Sequence, residues 1–181
     1  MSEFDVLKDS AKGVWSDFAV MENFTSAAAP RLIDFAGVSA EHKVLDVACG
    51  TGVVALTASR ISEKVVGTDL TPCLIRHAKK NAEILGLNTE FLESDVEALP
   101  YENDSFDIVL SQFGHMFAPQ PSVAISEMLR VLKSGGKIAF STWPPELFMG
   151  SFFRITSGYA PPSPVQIEPP TLWGNVDIVK E

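Results

Sequence analysis

The sequence predicts an α/β fold built around a doubly wound parallel β-sheet. Short apolar segments with the length of buried strands alternate with segments of helical periodicity between residues 44 and 142. This alternation is typical of βαβ units, which form parallel sheets covered by helices on both faces. A loop of small residues follows the first of these strands at once. The chain has 181 residues, the usual size of one domain with one core.

The elements can be assigned in order along the chain. Residues 5–36 have helical periodicity, and Pro30 is expected to separate two helices. The predicted strands are residues 44–47, 65–69, 89–93, 106–111 and 137–142. The predicted helices between them are residues 53–60, 71–85 and 122–132, the last of which is ended by Gly135 and Gly136. Thr71 and Pro72 supply a capping residue and a first-turn proline to the second of these helices.

The composition changes after Trp143. Seven of the twelve prolines lie between Pro144 and Pro170, and proline is disfavoured in helix interiors and in central strands. We therefore expect residues 1–143 to form the core with its N-terminal helices. Residues 144–181 are expected to form a proline-rich extension, which is either a loop that wraps or covers part of the core as a lid or a poorly ordered segment.

The net charge and the two cysteines limit the kinds of partner and site that the protein can have. The formal net charge of −9 weighs against nucleic acid or an anionic membrane surface as a partner, because both are bound through Lys and Arg. No apolar run has the roughly 18 residues that a membrane span needs. The N-terminal segment has acidic residues and no apolar core, unlike a signal peptide. Cys49 and Cys73 lack the spacing of a metal site or redox pair, so we expect free thiols, no metal and a cytoplasmic location.

Candidate site residues follow four of the predicted strands. In an open parallel sheet, ligands bind outside the carboxyl ends of the strands, where these residues converge. The sequence therefore predicts a ligand site at this edge of the sheet. In chain order the candidates are Asp46, Ala48, Gly50, Gly52, Asp69, Leu70, Asp95, Val96, Ser111, Gln112, Phe113 and His115.

The small-residue loop has the spacing Ala-x-Gly-x-Gly between residues 48 and 52. It lacks the Gly-Lys-Ser/Thr of a phosphate-binding P-loop, and it differs from the Gly-x-Gly-x-x-Gly of nicotinamide-binding oxidoreductases. A backbone without Cβ atoms lets a ligand approach closely. Asp46 suits a cationic group, and Asp69 lies where an acid commonly binds both hydroxyls of a ribose. A tight strand-to-helix turn with no ligand is the alternative explanation of the loop.

Four ordered motifs resemble those of class I S-adenosylmethionine-dependent methyltransferases, which have a Rossmann-like fold. They are VLDVACGTG (44–52), VVGTDLTPCLI (65–75), ESDVEALPYENDSFDIVLSQF (93–113) and MLRVLKSGGKIAFSTW (128–143). The similarity covers about residues 15–143 and is greatest to the branch of the ubiquinone/menaquinone C-methyltransferases. Ala48 stands where the wider superfamily often has Gly.

The resemblance implies S-adenosyl-L-methionine as cofactor, with S-adenosyl-L-homocysteine as the product. It also implies a role for each residue along the length of the cofactor. Asp46, Ala48, Gly50 and Gly52 would hold the amino acid end, Asp69 the ribose, Leu70, Asp95 and Val96 the adenine, and Ser111, Gln112 and Phe113 the methionine moiety beside the methyl group.

Methyl transfer from a sulfonium donor is an in-line displacement, so positioning can supply most of the catalysis. His115 is the best-placed candidate for a general base. Aromatic residues after the fourth strand and in the extension favour an apolar small-molecule acceptor, although core packing explains them equally well. Two alternatives remain, namely a domain that binds the cofactor without catalysis and, with less support, a nicotinamide-dependent oxidoreductase.

The resemblance implies seven strands in the order 3-2-1-4-5-7-6, whereas the sequence pattern gives five. Residues 169–181 resemble the start of the family's next helix. We therefore expect a methyltransferase domain truncated before its last two strands. In that case strand 137–142 forms an exposed edge, which the extension or a second copy in a homodimer could cover.

Overall fold

A five-stranded parallel sheet forms the centre of the computed structural model, which describes residues 2–159, 165 and 167–180. The strand order is β3-β2-β1-β4-β5. The strands are β1 (Val44–Val47), β2 (Val65–Asp69), β3 (Glu90–Glu93), β4 (Phe106–Gln112) and β5 (Leu132–Ser141). Strand β1 lies in the middle, where Val44 pairs with Val65 of β2 and with Ile108 of β4. Because all four strand pairings are parallel, the carboxyl ends of all five strands lie at one edge of the sheet.

Helices cover both faces of the sheet. The α-helices are α1 (Glu3–Trp15), α2 (Glu22–Thr25), α3 (Ala29–Ala36), α4 (Val53–Ala58), α5 (Pro72–Leu85), α6 (Pro121–Val131), α7 (Phe148–Ser157) and α8 (Val176–Val179). Short 3-10 helices span Ser16–Met21, Ser26–Ala28, His115–Phe117 and Pro170–Gly174. Strand β1 shows the two-faced packing directly, since Val44 packs with α3, α4 and α5 while Leu45 and Val47 pack with α6. The predicted α/β fold with a doubly wound parallel sheet is confirmed.

The start of β5 differs from the prediction. Helix α6 ends at Val131 and the strand begins at Leu132, five residues earlier than expected, so Gly135 and Gly136 do not end the helix. Leu132 already has extended dihedrals and pairs with Phe106. The glycines instead belong to an irregularity in the register between β4 and β5, where Gly135 has φ +79°. The two glycines led to the wrong prediction of the helix end because a β-bulge and a helix end both favour glycine.

The N-terminal helical region is also more divided than predicted. Pro30 lies in the first turn of α3, where a missing N–H has no cost, and the break lies upstream in two 3-10 helices and α2. Helix α1 begins with a capping box in which Ser2 and Asp5 satisfy each other's backbone N–H groups. In α5, by contrast, the Thr71 side chain makes no capping hydrogen bond. Helix α4 ends at Ala58, two residues before the predicted end.

The extension packs against the end of β5. Gly150 of α7 and Gly174 both contact the backbone of the stretch Trp143–Pro145 so closely that neither site has room for a Cβ. Part of the proline-rich stretch predicted as an extended lid, residues 160–164 and 166, lies outside the described residues. No strand follows β5 among residues 142–159 and 167–180. None of the described helices is long and apolar enough to span a membrane.

Candidate cofactor and acceptor site

A cavity of about 320 Å³ opens at the carboxyl ends of the strands. One wall comes from the ends of β1, β2 and β4 and the loop after β3. The opposite wall comes from the N-terminal helices and the segment around residue 168. Nine of the eleven predicted cofactor residues lie in the wall, namely Asp46, Ala48, Gly50, Asp69, Leu70, Asp95, Val96, Gln112 and Phe113. The volume of the cavity is within the usual range of small-molecule binding sites.

The two glycines of the loop after β1 have different environments. Gly52 has φ +89°, and an added Cβ would lie 2.8 Å from the Phe91 ring and 3.1 Å from the Cβ of Ala78. Its bare backbone is therefore a packing requirement, and Gly52 does not line the cavity. Gly50 has φ +56°, and an added Cβ would meet nothing within 4 Å. Gly50 thus leaves open space in the cavity wall, which is what a closely approaching ligand needs.

Asp46 is a fully buried carboxyl group in the cavity wall. It shares a face of β1 with Val44, so its side chain points toward α4, where Oδ2 accepts a hydrogen bond of 3.0 Å from the Ala55 N–H. Its second oxygen, Oδ1, has no hydrogen-bond partner. Burial raises the pKa of Asp46 well above its ordinary value, and the nearby charge of Asp69 adds to this shift. A buried acceptor atom left without a donor is costly, and a cationic ligand group would remove that cost.

Asp69 at the end of β2 holds the glycine loop in place. Its Oδ2 accepts from the Gly50 N–H at 2.9 Å, and its Oδ1 accepts from the Thr71 N–H at 2.8 Å. Burial raises the pKa of this carboxyl, and the two backbone hydrogen bonds oppose that rise. The residue assigned to the ribose by resemblance therefore also links β2 to the loop after β1.

An ion-pair cluster forms the cavity wall after β3. Asp95 Oδ1 accepts from the Glu97 N–H at 2.9 Å, and Asp95 Oδ2 lies 2.6 Å from Lys8 Nζ. Lys8 Nζ also lies 2.5 Å from Glu97 Oε2. Neither Lys8 nor Glu97 is among the site residues predicted from the sequence. The available signal for Lys8 was its place on one face of α1 beside Leu7 and Ala11, which line the cavity with it.

Aromatic rings form the remaining part of the wall. Phe113 has φ +59° and stacks on Trp143 with ring centroids 3.9 Å apart. The Trp15 ring of α1 lies 4.7 Å from Phe117. The amide of Gln112 donates from Nε2 to the Thr25 carbonyl at 3.1 Å. Of the aromatic candidates in the extension, Phe148, Phe152 and Tyr159 are exposed and lie outside the wall.

Ser111 and His115 are buried behind the wall rather than in it. Ser111 Oγ donates to the Val47 carbonyl at 3.0 Å and accepts from the His115 N–H at 3.2 Å. The His115 ring lies 4.7 Å from Phe140 and 4.6 Å from Trp173. Neither ring nitrogen has a partner, and burial lowers the pKa of His115 to about 3. The geometry therefore gives no support to the prediction that His115 is a general base.

Potential metal ligands are not grouped within the described ranges. No cluster of three or more His, Cys, Asp or Glu side chains occurs there in a metal-binding arrangement. Cys49 and Cys73 are both free thiols. Burial raises the pKa of Cys49 well above its ordinary value, so the thiol form predominates and its reactivity is low.

Two relatives match much of this chain in sequence. An uncharacterized protein of Mycobacterium tuberculosis is 35% identical over 175 residues, which are 95% of this chain and 64% of that protein. A demethylmenaquinone methyltransferase of Thermus thermophilus is 37% identical over 117 residues, which are 64% of this chain and 53% of that enzyme. The chain thus spans less than two thirds of the length of these relatives.

A solved structure and a family model agree with the sequence relatives. The structure of the cyclase SpnF superposes with a TM-score of 0.61 at 27% identity, covering 67% of this chain and 50% of that one. A model of the methyltransferase domain matches residues 44–136. The predicted family is confirmed, and its methyl donor, S-adenosylmethionine, is the cofactor predicted above. The chain belongs to the methyltransferase domain family, in its Rossmann-like, S-adenosylmethionine-dependent class.

Proposed function

We propose that the cavity binds S-adenosylmethionine and that the protein transfers the methyl group to a small apolar acceptor. The observation that supports this most is the buried, unpaired Oδ1 of Asp46 in the same wall as the open space beside Gly50. The donor carries an ammonium group that would pair with such a carboxylate.

The other wall residues suit the rest of the donor. Each Asp69 oxygen accepts one backbone hydrogen bond and can accept another, which suits ribose hydroxyls. Asp95 likewise has acceptor capacity beyond its bonds to Lys8 and Glu97, and this suits an adenine amino group. Leu70 and Val96 add apolar wall at this end.

The reaction needs little acid–base chemistry from this chain. The bound donor supplies a methyl group already activated by its sulfonium. The chain would orient the two reactants in line and exclude water with Trp15, Phe113 and Phe117. We do not assign a general base, because the only buried histidine in the described residues, His115, lies outside the cavity wall.

The aromatic wall and the acidic net charge favour a neutral, apolar small molecule over a nucleic acid as acceptor. The similarity to a demethylmenaquinone methyltransferase agrees with an apolar acceptor. The free thiols fit a cytoplasmic location. A homodimer that pairs through the outer edge of β5, the last strand in the described sheet, would cover that edge.

A second candidate is a protein that binds the donor without transferring its methyl group. The structural similarity to a protein named as a cyclase favours this candidate, because it shows that the fold is not restricted to one reaction. In this case the aromatic half of the cavity would shape the substrate of another reaction.

Calorimetric titration with S-adenosylmethionine, S-adenosylhomocysteine and NADH tests donor binding. We expect both sulfur ligands to bind and NADH not to bind. Incubation with donor carrying a labelled methyl group, in the presence of 1-naphthol as a neutral aromatic probe and of cell extracts, then tests transfer. Donor binding with no labelled product would favour the second candidate, and absence of donor binding would overturn both.

A further inference from the structure

We propose that α1 is a lid over the adenine end of the cavity and that Lys8 is the positioning residue that locks it to Asp95 and Glu97. This inference rests on the proposed function, since it assigns the adenine of the donor to Asp95.

Helix α1 covers the cavity without being anchored in the core. Leu7, Lys8, Ala11 and Trp15 line the cavity from above, yet none of the thirteen residues of α1 is buried. The outer face exposes Val6 and Val14. The capping box stabilises the helix from within. Segments that bury little surface unfold or detach at a low cost in free energy. Because α1 buries little surface and its capping box keeps it helical, it can detach from the core as one helix.

Lys8 supplies the strongest polar attachment of this helix. Its side chain is only 12% exposed, and Nζ contacts both Asp95 Oδ2 and Glu97 Oε2. Glu97 is itself fixed, because its side chain is 3% exposed and accepts from the N–H and the Nε2 of Gln120 at 2.7 and 2.8 Å. Lys8 therefore joins α1 to a carboxylate that is held by Gln120, the residue before α6.

The same contact connects the lid to the ligand. With α1 closed, one oxygen of Asp95 is held by the Glu97 N–H and the other by Lys8, so the orientation of the carboxylate is fixed. A fixed acceptor binds the adenine amino group better than a rotating one. Donor binding and closure of α1 then reinforce each other, since such coupling is reciprocal.

Lys12, one turn further along α1, provides a matched control. Its Nζ lies 3.3 Å from Asp9 and 3.6 Å from Glu93, its side chain is 31% exposed, and it does not line the cavity. K12M therefore removes the same charge from the same helix without touching the lock. K8R tests whether a cation at position 8 is sufficient.

The experiment measures donor dissociation by stopped-flow and amide hydrogen exchange of residues 3–15. We expect K8M to raise the dissociation rate of S-adenosylmethionine about tenfold and to lower the protection of α1 with and without donor. K8R should restore most of the slow donor dissociation and most of the protection of α1. The dissociation rate of K12M should stay within about twofold of the wild-type rate. K8M should weaken adenosine binding and leave methionine binding unchanged.

The proposal is overturned if K8M and K12M give the same dissociation rate and the same protection of α1 while the wild type binds donor. Unchanged exchange in K8M without ligand would by itself refute the lid. A wild type that fails to bind S-adenosylmethionine would instead overturn the proposed function, and the exchange comparison would still decide whether Lys8 holds α1.

Discussion

The two ends of the cavity are built differently. We name the two ends by the ligand proposed for each, the methyl donor or the acceptor. At the donor end, the side chains that line the cavity stand on the strands of the sheet, and backbone hydrogen bonds fix them. Asp46 is fully buried and Asp69 is 8% exposed, and both accept from backbone N–H groups of neighbouring segments. At the acceptor end the groups stand on α1 and on short helices, and contacts between aromatic rings hold them.

This difference predicts which changes affect folding and which affect only ligand choice. A side chain that both faces the ligand and satisfies buried backbone groups cannot be changed without loss of stability. A ring that packs between surface helices has no such second role. The donor end should therefore couple affinity to stability, and the acceptor end should separate them.

Asp69→Ala should have the largest effect. It leaves the N–H groups of Gly50 and Thr71 unpaired, so the free energy of unfolding should fall by about 2–4 kcal/mol. Donor affinity should fall about 100-fold, because the ribose contacts and the loop conformation are lost together. Urea unfolding and calorimetry measure the two effects. Asp34→Asn on the exposed surface of α3 is the control. Donor affinity within threefold of the wild type would refute the ribose assignment.

The glycine loop offers a paired test within the donor end. Gly52→Ala forces a Cβ against Phe91 and Ala78 and should lower stability by about 2–3 kcal/mol. Gly50→Ala has open space around its Cβ and should lower stability by only about 1 kcal/mol. It should nevertheless weaken donor binding, because the new methyl group enters the cavity. Equal stability of the two variants would contradict the packing role of Gly52.

Asp46→Asn tests the cost of the unpaired oxygen through its pH dependence. The pKa of Asp46 is raised by burial, so the folded state holds the proton more tightly than the unfolded state. Stability should therefore fall as pH rises from the ordinary carboxyl range through the raised pKa. The variant keeps an acceptor for the Ala55 N–H but lacks the buried charge.

We expect Asp46→Asn to lose that part of the pH slope and to gain about 1–2 kcal/mol at neutral pH. Donor affinity should fall about tenfold. Denaturant unfolding between about pH 4 and 8, compared with the wild type, measures the change. A variant less stable than the wild type at neutral pH would show that Asp46 is not an uncompensated charge.

Trp15→Ala should have the smallest effect on folding. Trp15 is half-buried and contacts the rings of Phe18 and Phe117, so its removal should cost about 1 kcal/mol. Donor affinity should stay within about threefold. Binding of 1-naphthol to the complex with S-adenosylhomocysteine, followed by fluorescence, should weaken several-fold. A loss of stability as large as that of Asp69→Ala would remove the distinction between the two ends.

The donor end could be predicted from the sequence because each of its residues is tied to a strand end. Once Val44–Val47 and Val65–Asp69 are recognised as strands, the parallel topology brings Asp46 and Asp69 together without further information. The exceptions are instructive. Ser111 and Gly52 match the motif but serve packing and backbone bonding, which spacing alone does not distinguish from ligand contact.

The contributions of α1 and of the segments after β4 could not be predicted in the same way. Lys8 lies 87 residues from Asp95 along the chain, and no local pattern indicates that α1 folds back over the third strand. His115 follows the fourth strand as a base would, yet the 3-10 helix at His115–Phe117 turns its ring behind the wall and against Trp173. The aromatic residues of α7 have helical spacing, but spacing does not say that the face with Phe148 and Phe152 is exposed.

Two helices of the extension contact the same stretch of the core. Helix α7 and the helix Pro170–Gly174 both dock on the stretch Trp143–Pro145, each through a glycine. After a single break in the backbone between them, each piece would still have its own contacts with the core. A separate peptide that carries Trp173 could thus bind to the core and place its ring against His115. The protein has the arrangement required for complementation between two fragments, with the methyl-donor half on one fragment and the Trp173 helix on the other.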